Sequence, residues 1–326
     1  VRSYLIVEQD GHFERGVVDY DPSPTSPDDV TIEVEYSAVN FKDALVARPK
    51  SNVRRVARLV GGVDAAGVVT ASTDPSLKVG MRVAVHGGEL GVRRDGGFAP
   101  LLFAPPSLVN VLPQGLSTRD AMVLGTAGVT AMASILALEH HGLAAGSEVL
   151  VTGATGGVGS TTVSLLRARG YYPVASTGSV HQAAWLRDLG ASEVIGRDEI
   201  ADRPDRVLAS ERWAGAVDCV GGDTLHQILR SLRYGAAVAA SGLVASAELH
   251  TNVYAFITRS VALLGIDTVE MSQDLRRRVW QELGEAALRL DFNQLIDSTS
   301  DLAGLDFALD TIANGATRGR ILVVPT

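Results

Sequence analysis

Apolar residues fall in two rhythms along this chain. From Val1 to about Gly125 they come in short, valine-rich runs, at residues 3–8, 30–37, 67–71, 82–86 and 107–112, divided by Gly, Pro, Asp and Ser. Short runs of branched side chains bounded by turn formers predict strands. Several at this spacing predict a small barrel-like β unit. The stretch Asp21-Pro-Ser-Pro-Thr-Ser-Pro-Asp28 is a loop by composition.

The rhythm lengthens after Ser117. Ser117, Thr118 and Asp120 supply capping groups for a helix whose apolar face begins at residues 121–124. Gly125-Thr-Ala-Gly-Val-Thr-Ala131 interrupts that helix, and residues 130–140 predict a second one. Beyond it lie strands at 149–151, 172–176, 193–195, 216–220, 236–240 and 261–266. Helices at 160–169, 181–189, 224–232 and 273–288 alternate with them. Such alternation is the mark of an α/β, doubly wound parallel sheet. A short helix at 305–313 is followed by a last strand at 320–324, which returns to the β unit. The expected division is a β-rich catalytic domain, residues 1–116 with 292–326, and a Rossmann domain, residues 117–291, with the active site between them. The strand at 261–266 offers an edge to a second copy, and a homodimer is expected.

The stretch from Glu148 to Leu166 carries the chemistry. A buried strand leads into Gly153, Gly156 and Gly159 at a spacing of three, and a helix follows from Ser160. Glycines let the backbone approach a pyrophosphate, and the helix N-terminus offers free N–H groups. The pattern is G-x-x-G-x-x-G rather than the commoner G-x-G-x-x-G. An NAD-preferring fold places an acid at the end of the second strand, for the ribose 2′-hydroxyl. Here that strand ends in Thr177-Gly-Ser179, and the next acid is Asp188. Hydroxyls and a glycine admit a 2′-phosphate that a carboxylate would repel, so NADPH is preferred to NADH. The candidate cations are Arg197 and His181; the alternative for Arg197 is a surface pair with Asp198 or Glu199.

Composition narrows the field. The 326 residues carry a formal net charge of −8, which disfavours nucleic acid as a partner. The single cysteine, Cys219, sits among apolar neighbours and reads as an inert thiol. No signal peptide and no apolar run long enough for a membrane is expected, which makes the cytoplasm the simplest compartment. The β unit has no cysteine, and His12 and His86 are its only histidines, each expected at a surface or in a loop. No metal site is expected. Against the acidic background stands a basic run, Arg48, Lys50, Arg54, Arg55 and Arg58. It either attracts the phosphates of coenzyme A or forms a solvated face, and Arg93 and Arg94 pose the same choice.

Several phrases together resemble the zinc-free medium-chain dehydrogenase/reductase superfamily, and within it the acrylyl-CoA reductase and quinone oxidoreductase-like group. They are Asn40-Phe-Lys-Asp-Ala-Leu45, Leu124-Gly-Thr-Ala-Gly-Val-Thr-Ala-Met132, Val151-Thr-Gly-Ala-Thr-Gly-Gly-Val-Gly-Ser160, Leu189-Gly-Ala191, Arg197-Asp-Glu199, Trp213-Ala-Gly-Ala-Val-Asp218 and Gly319-Arg-Ile-Leu322. The resemblance implies a GroES-like catalytic domain beside the Rossmann domain, and NADPH-dependent reduction of an enoyl thioester, with acryloyl-CoA as the leading substrate. It places residues 40–44, Ala44 included, along the nicotinamide. Val158, Gly159, Ser160 and Thr161 would meet the pyrophosphate, and Arg197 the 2′-phosphate. Leu243, Ile257, Thr268 and Arg320 would approach the cofactor.

The chain departs from that group at Phe41, where tyrosine is common, and at Ser179, where arginine is common. The loop at 87–97 lacks aromatics, and Val60-Gly-Gly-Val-Asp64 has glycine where proline is usual. Conjugate reduction needs donors aimed at the carbonyl oxygen. Asn40, Lys42 and Asp43 are the catalytic candidates: Asn40 donates or accepts, Lys42 stabilises the developing charge, and Asp43 orients Lys42 or a water. Asn40 and Asp43 have the alternative of bracing the loop, and Lys42 that of a solvated charge. Thr126 either binds the nicotinamide carboxamide or caps the helix after Gly125. The other functions in play are a quinone or enone reductase and a catalytically silent NADPH-binding protein.

Overall fold

The computed structural model describes residues 1–202 and 205–326. In chain order the elements are β1 (Arg2–Gln9), β2 (His12–Asp19), β3 (Val30–Val39), α1 (Phe41–Val46), β4 (Arg58–Val60), β5 (Asp64–Ala71), β6 (Arg82–His86), β7 (Leu101–Ala104), β8 (Val109–Val111), α2 (Thr118–His140), β9 (Glu148–Thr152), α3 (Gly157–Ala168) and β10 (Tyr172–Ser176). There follow α4 (Ala183–Asp188), β11 (Glu193–Ile195), β12 (Gly215–Asp218), α5 (Gly222–Ser231), β13 (Ala237–Ala240), α6 (Tyr254–Arg259), β14 (Ala262–Gly265), α7 (Gln273–Ala287), α8 (Phe292–Leu295), β15 (Ile296–Asp301), α9 (Leu305–Ala313) and β16 (Arg320–Val324).

Two units emerge. The first comprises Val1–Val129, Thr268–Ala287 and Phe292–Thr326; the second comprises Thr130–Asp267 and Leu288–Asp291. This differs from the expected division at residues 117 and 291: α7 groups with the first unit. The reason is polar. Arg276 and Trp280 of α7 both bond to His86 at the end of β6.

The first unit holds a three-stranded sheet, β2-β1-β4, and a seven-stranded one, β15-β16-β3-β5-β6-β8, with β7 also on β3. In β3, Val30, Ile32 and Val34 are buried while Glu33 and Glu35 are exposed, the alternation of a half-buried strand. Gly67 of β5 is required there: a Cβ would stand 1.9 Å from the Glu33 carbonyl oxygen. One apolar cluster joins Tyr4, Leu59 and Phe98 to Leu305 and Leu309 of α9, and another is built on Ile32, Val83 and Leu102. The terminal strand β16 does return to this unit, antiparallel to β3.

The second unit is a parallel six-stranded sheet in the order β11-β10-β9-β12-β13-β14, the doubly wound arrangement. Its core includes Leu150, Val174, Trp213, Ile228 and Val238. β14 ends the sheet, with one side unpaired among the described residues.

Helix α2 runs from the first unit into the second. The predicted interruption is a single residue, Gly125, at φ 50° and ψ −154°, where the helix kinks. Against expectation, this helix is long and apolar enough to cross a membrane, with a mean hydropathy of 1.9. Its most apolar stretch is 89% buried within the protein, the signature of a core helix. Strands β2 and β15 escaped the sequence reading because they carry polar side chains: His12, Glu14 and Arg15 in one, Asp297, Ser298, Thr299 and Ser300 in the other.

Candidate functional site

Asn40 follows the last residue of β3 and caps α1 in extended conformation. Asp43, one turn on, reaches back: its Oδ2 accepts the Asn40 backbone N–H at 2.7 Å, and its Oδ1 accepts the Val63 N–H at 2.9 Å. Asp43 therefore braces the turn with both of its carboxylate oxygens. Its carboxyl is buried, and burial pushes its pKa up to about 7; the backbone donors oppose the shift and nearby Asp64 adds to it.

Asp64, the first residue of β5, is the hub that sequence reasoning missed. It is completely buried. Its carboxylate accepts Asn40 Nδ2 at 2.7 Å, the Thr126 backbone N–H at 3.0 Å and the Thr126 hydroxyl at 2.5 Å. Arg320 lies 3.5 Å from the same carboxylate and donates to Asn40 Oδ1 at 3.0 Å and to the Val123 carbonyl at 3.1 Å. Burial lowers the Arg320 pKa, and Asp64 and Asp43 oppose that shift. Gly125 completes the fit. A Cβ there would stand 2.5 Å from Asp64 Oδ2 and 2.9 Å from the Arg320 guanidinium. Thr126 thus has both its N–H and its hydroxyl on Asp64, which caps the second half of α2. One signal was available: an aspartate opening an otherwise apolar strand needs partners once buried.

Of the other expected residues in this unit, Ala44 lies in the apolar cluster with Leu59 and Leu305. Lys42 is half-buried, and no carboxylate among the described residues pairs with it. Thr268 is buried, and its carbonyl lies where a Cβ of Gly87 would come within 2.9 Å. His86 corrects the expectation of a surface or loop histidine. It ends β6, is completely buried, and accepts the Trp280 indole N–H on Nε2 at 3.0 Å. Its Nδ1 has no partner among the described residues. Burial holds its pKa down to about 4; Asp64 opposes the shift and Arg276 adds to it.

The basic run divides. Arg54 is buried, paired with Glu8, and donates to the Val46 carbonyl at 2.6 Å. Arg58 stacks over the Tyr20 ring at 4.7 Å, and Arg94 pairs with Asp29 at 3.0 Å. Arg54 and Arg94 are structural, because each has its charge already paired. Arg48, Lys50, Arg55 and Arg58 remain exposed.

In the second unit the glycine turn is built as expected, with α3 beginning at Gly157 rather than Ser160. Gly153 takes φ 58°. At Gly159 a Cβ would stand 2.3 Å from the Gly153 carbonyl oxygen, so the helix packs directly on the turn. Gly156 is the N-cap, and its N–H bonds to the Gly153 carbonyl. Gly157, Val158 and Gly159 are the first helical residues, where N–H groups lack helical acceptors. The hydroxyls of Ser160 and Thr161 both donate to carbonyls one turn back, Gly156 and Gly157, at 2.8 Å.

At the end of β10, the Thr177 hydroxyl accepts the Ser179 N–H at 2.9 Å, closing a tight turn. Arg197 lies against it. A Cβ on Gly178 would stand 2.6 Å from the guanidinium. No carboxylate among the described residues pairs with Arg197, and Glu199 bonds instead to the Gly196 N–H at 2.7 Å. His181 lies in the short helical turn that follows Ser179. A cation over an acid-free turn fits a 2′-phosphate. Leu243 and Ile257 stand 59% and 71% exposed on this unit. Burial pushes the Cys219 thiol up to about 12, with Asp218 adding to the shift, so the thiolate is scarce.

The chain matches the alcohol dehydrogenase GroES-like domain over residues 26–114 and the zinc-binding dehydrogenase family over residues 157–285. It is 43% identical to a Bacillus subtilis protein named "Putative quinone oxidoreductase YhfP", over 91% of this chain and 90% of that one. It is 40% identical to acrylyl-CoA reductase AcuI of Ruegeria pomeroyi, over 98% of each. Among solved structures, Escherichia coli K-12 YhdH with bound NADPH superposes with a TM-score of 0.92 at 38% identity, covering 99% of this chain and 100% of that one. Bacillus subtilis yhfP with bound NAD gives 0.95 at 40%, covering 99% and 98%.

Proposed function

The chain belongs to the medium-chain dehydrogenase/reductase superfamily, in its acrylyl-CoA reductase and quinone oxidoreductase-like group, and on that premise we propose that it reduces the carbon–carbon double bond of an α,β-unsaturated acyl thioester with NADPH, acryloyl-CoA being the substrate. The observation that carries the cofactor half is Arg197 lying over the Thr177–Ser179 turn, where no carboxylate among the described residues pairs with it. The substrate half rests on likeness to the Ruegeria reductase along almost the whole chain.

When bound, NADPH supplies a hydride to the β-carbon. The chain's part is to hold the cofactor and to receive the charge that develops on the carbonyl oxygen. The glycine turn leaves N–H groups for the pyrophosphate, and Arg197 meets the 2′-phosphate. Lys42 carries a charge that no carboxylate in the described chain neutralises, which suits it to the developing enolate. Asn40 and Arg320 are bound to Asp64 and to each other; they fix the frame on which residues 40–44 sit. Metal is not required by this reading. Among the described residues, no three His, Cys, Asp or Glu side chains come together to hold a zinc ion.

The second reading is a quinone reductase. It is favoured by the 43% identity to the Bacillus protein and by the absence of aromatics in the 87–97 loop. The experiment is NADPH oxidation by the purified protein with acryloyl-CoA and a simple quinone in parallel, and NADH as control. Turnover of the thioester with NADPH supports the proposal. Turnover of the quinone alone selects the second reading. Tight NADPH binding with no turnover leaves a silent binder.

A further inference from the structure

His86 has the strongest unexplained geometry in the chain. It sits directly across from Asp64 in the antiparallel β5–β6 pair. Directly opposed residues of such a pair project to the same face of the sheet. The imidazole therefore stands beside the carboxylate that gathers Asn40, Thr126 and Arg320.

Its protonation state is fixed by its neighbour. The Trp280 indole is a donor only, and it points at His86 Nε2 from 3.0 Å. Nε2 must then carry a lone pair, and the neutral ring keeps its proton on Nδ1. That N–H is buried and has no acceptor among the described residues. Buried donors without partners are rare in native folds and call for an acceptor from outside. The backbone is held as firmly as the ring. Arg276 donates to the His86 carbonyl at 2.7 Å, and Gly88 donates to the Val269 carbonyl at 2.9 Å.

We propose that His86 is a catalytic residue whose Nδ1–H donates a hydrogen bond to the carbonyl oxygen of the conjugated acceptor. A neutral imidazole can polarise a carbonyl without delivering its proton. The bond strengthens as hydride addition moves negative charge onto that oxygen. The proton for the α-carbon comes from solvent, and His86 ends the cycle in the tautomer in which it began. The inference rests on conjugate reduction but not on the thioester, because an enoyl thioester and a quinone both present a conjugated carbonyl.

The test has a spectroscopic arm and a kinetic arm. The Nδ1–H proton is assigned by NMR in the full-length protein through its loss in His86→Gln. With NADP⁺ present, propionyl-CoA and a 1,4-quinone are added in turn. The resonance should move with whichever ligand class the protein turns over. In the kinetic arm, the double variant His86→Leu with Trp280→Phe leaves no orphaned indole N–H. It should lower kcat/KM about 100-fold, a typical loss for one donor to a developing oxyanion. NADPH affinity should stay within about twofold, since the donor serves the acceptor rather than the cofactor. His86→Gln, which can accept from Trp280 and still donate, should recover part of the loss. A resonance unmoved by either ligand means that a buried water satisfies the donor, and the proposal falls. Unchanged kcat/KM in the double variant overturns it as well. If only the quinone is reduced and only the quinone moves the resonance, the thioester reading fails while the role of His86 stands.

Discussion

Replacing Asp64 by asparagine should unlock the first unit more than any other single polar substitution in it. The carboxylate accepts three short hydrogen bonds and faces Arg320, which is only 2% exposed. Asp64→Asn keeps the shape but removes the charge. One side of the new amide is a donor and meets another donor, either Asn40 Nδ2 or the Thr126 pair. Hydrogen bonds to a charged group contribute about 1.5–3 kcal/mol each. Removing one partner of a buried ion pair costs about 3–5 kcal/mol, because the other charge is left uncompensated. The contributions overlap, so the expected loss is about 3–5 kcal/mol rather than their sum. Asp43 offsets a little of it: without the Asp64 charge nearby, its own carboxyl ionises more readily and faces Arg320. Amide hydrogen exchange of β5 and β6 reads the effect in the affected unit. Both are interior strands of the seven-stranded sheet. Their slowest amides should exchange about 10²–10⁴ times faster, the factor that corresponds to that free energy. Acceleration below about tenfold, or about 1.4 kcal/mol, would refute the picture of Asp64 as a dry hub.

Other outcomes follow from the same geometry. Gly125→Ala should cost about 1–3 kcal/mol from its left-handed backbone alone, and more because the new Cβ collides with Asp64; thermal denaturation checks it. Arg197→Ala should weaken NADPH binding about 10–100-fold, matching about 1.5–3 kcal/mol for a charged hydrogen bond, and leave NADH binding nearly unchanged; fluorescence titration separates the two. Arg54→Glu should destabilise the fold by about 3–5 kcal/mol, since it places a buried carboxylate against the half-buried Glu8. Charge reversal at Arg48 and Arg55 should leave stability unchanged and raise KM only for a coenzyme A thioester. The pH dependence of stability tests two buried groups with opposite signs. The depressed His86 pKa makes its contribution complete above 6.5 and lost as pH falls toward 4. The raised Asp43 pKa makes its contribution complete below 3.8 and lost as pH rises through 7. The two nearly cancel in the native protein. Relative to it, Asp43→Asn should gain stability more steeply with rising pH between 4 and 6.5, and His86→Leu should lose it, each by up to about 1.4 kcal/mol per pH unit. Urea unfolding across that range checks the signs.

By itself the sequence determined what is local. Strand and helix periods placed β9 to β14 and the helices α3, α4 and α5 to within a few residues, because each element's apolar face recurs along a continuous stretch; the short α6 between β13 and β14 was not anticipated. The glycines at 153, 156 and 159 and the missing acid after β10 announced a phosphate-rich ligand, because a turn needs its special residues in fixed order. Gly125 marked the kink in α2 for the same reason. Only the tertiary structure decided what depends on register and burial. Arg320 reaches Asp64 across 256 residues of sequence, and His86 faces it only because β5 and β6 pair as they do. Arg54 and Arg94 look like surface cations in the sequence and are tied down in the fold, since the carboxylates that hold them, Glu8 and Asp29, lie far away along the chain. Burial sets the charge of Asp43 and His86, and burial belongs to the assembled sheet rather than to any segment of it.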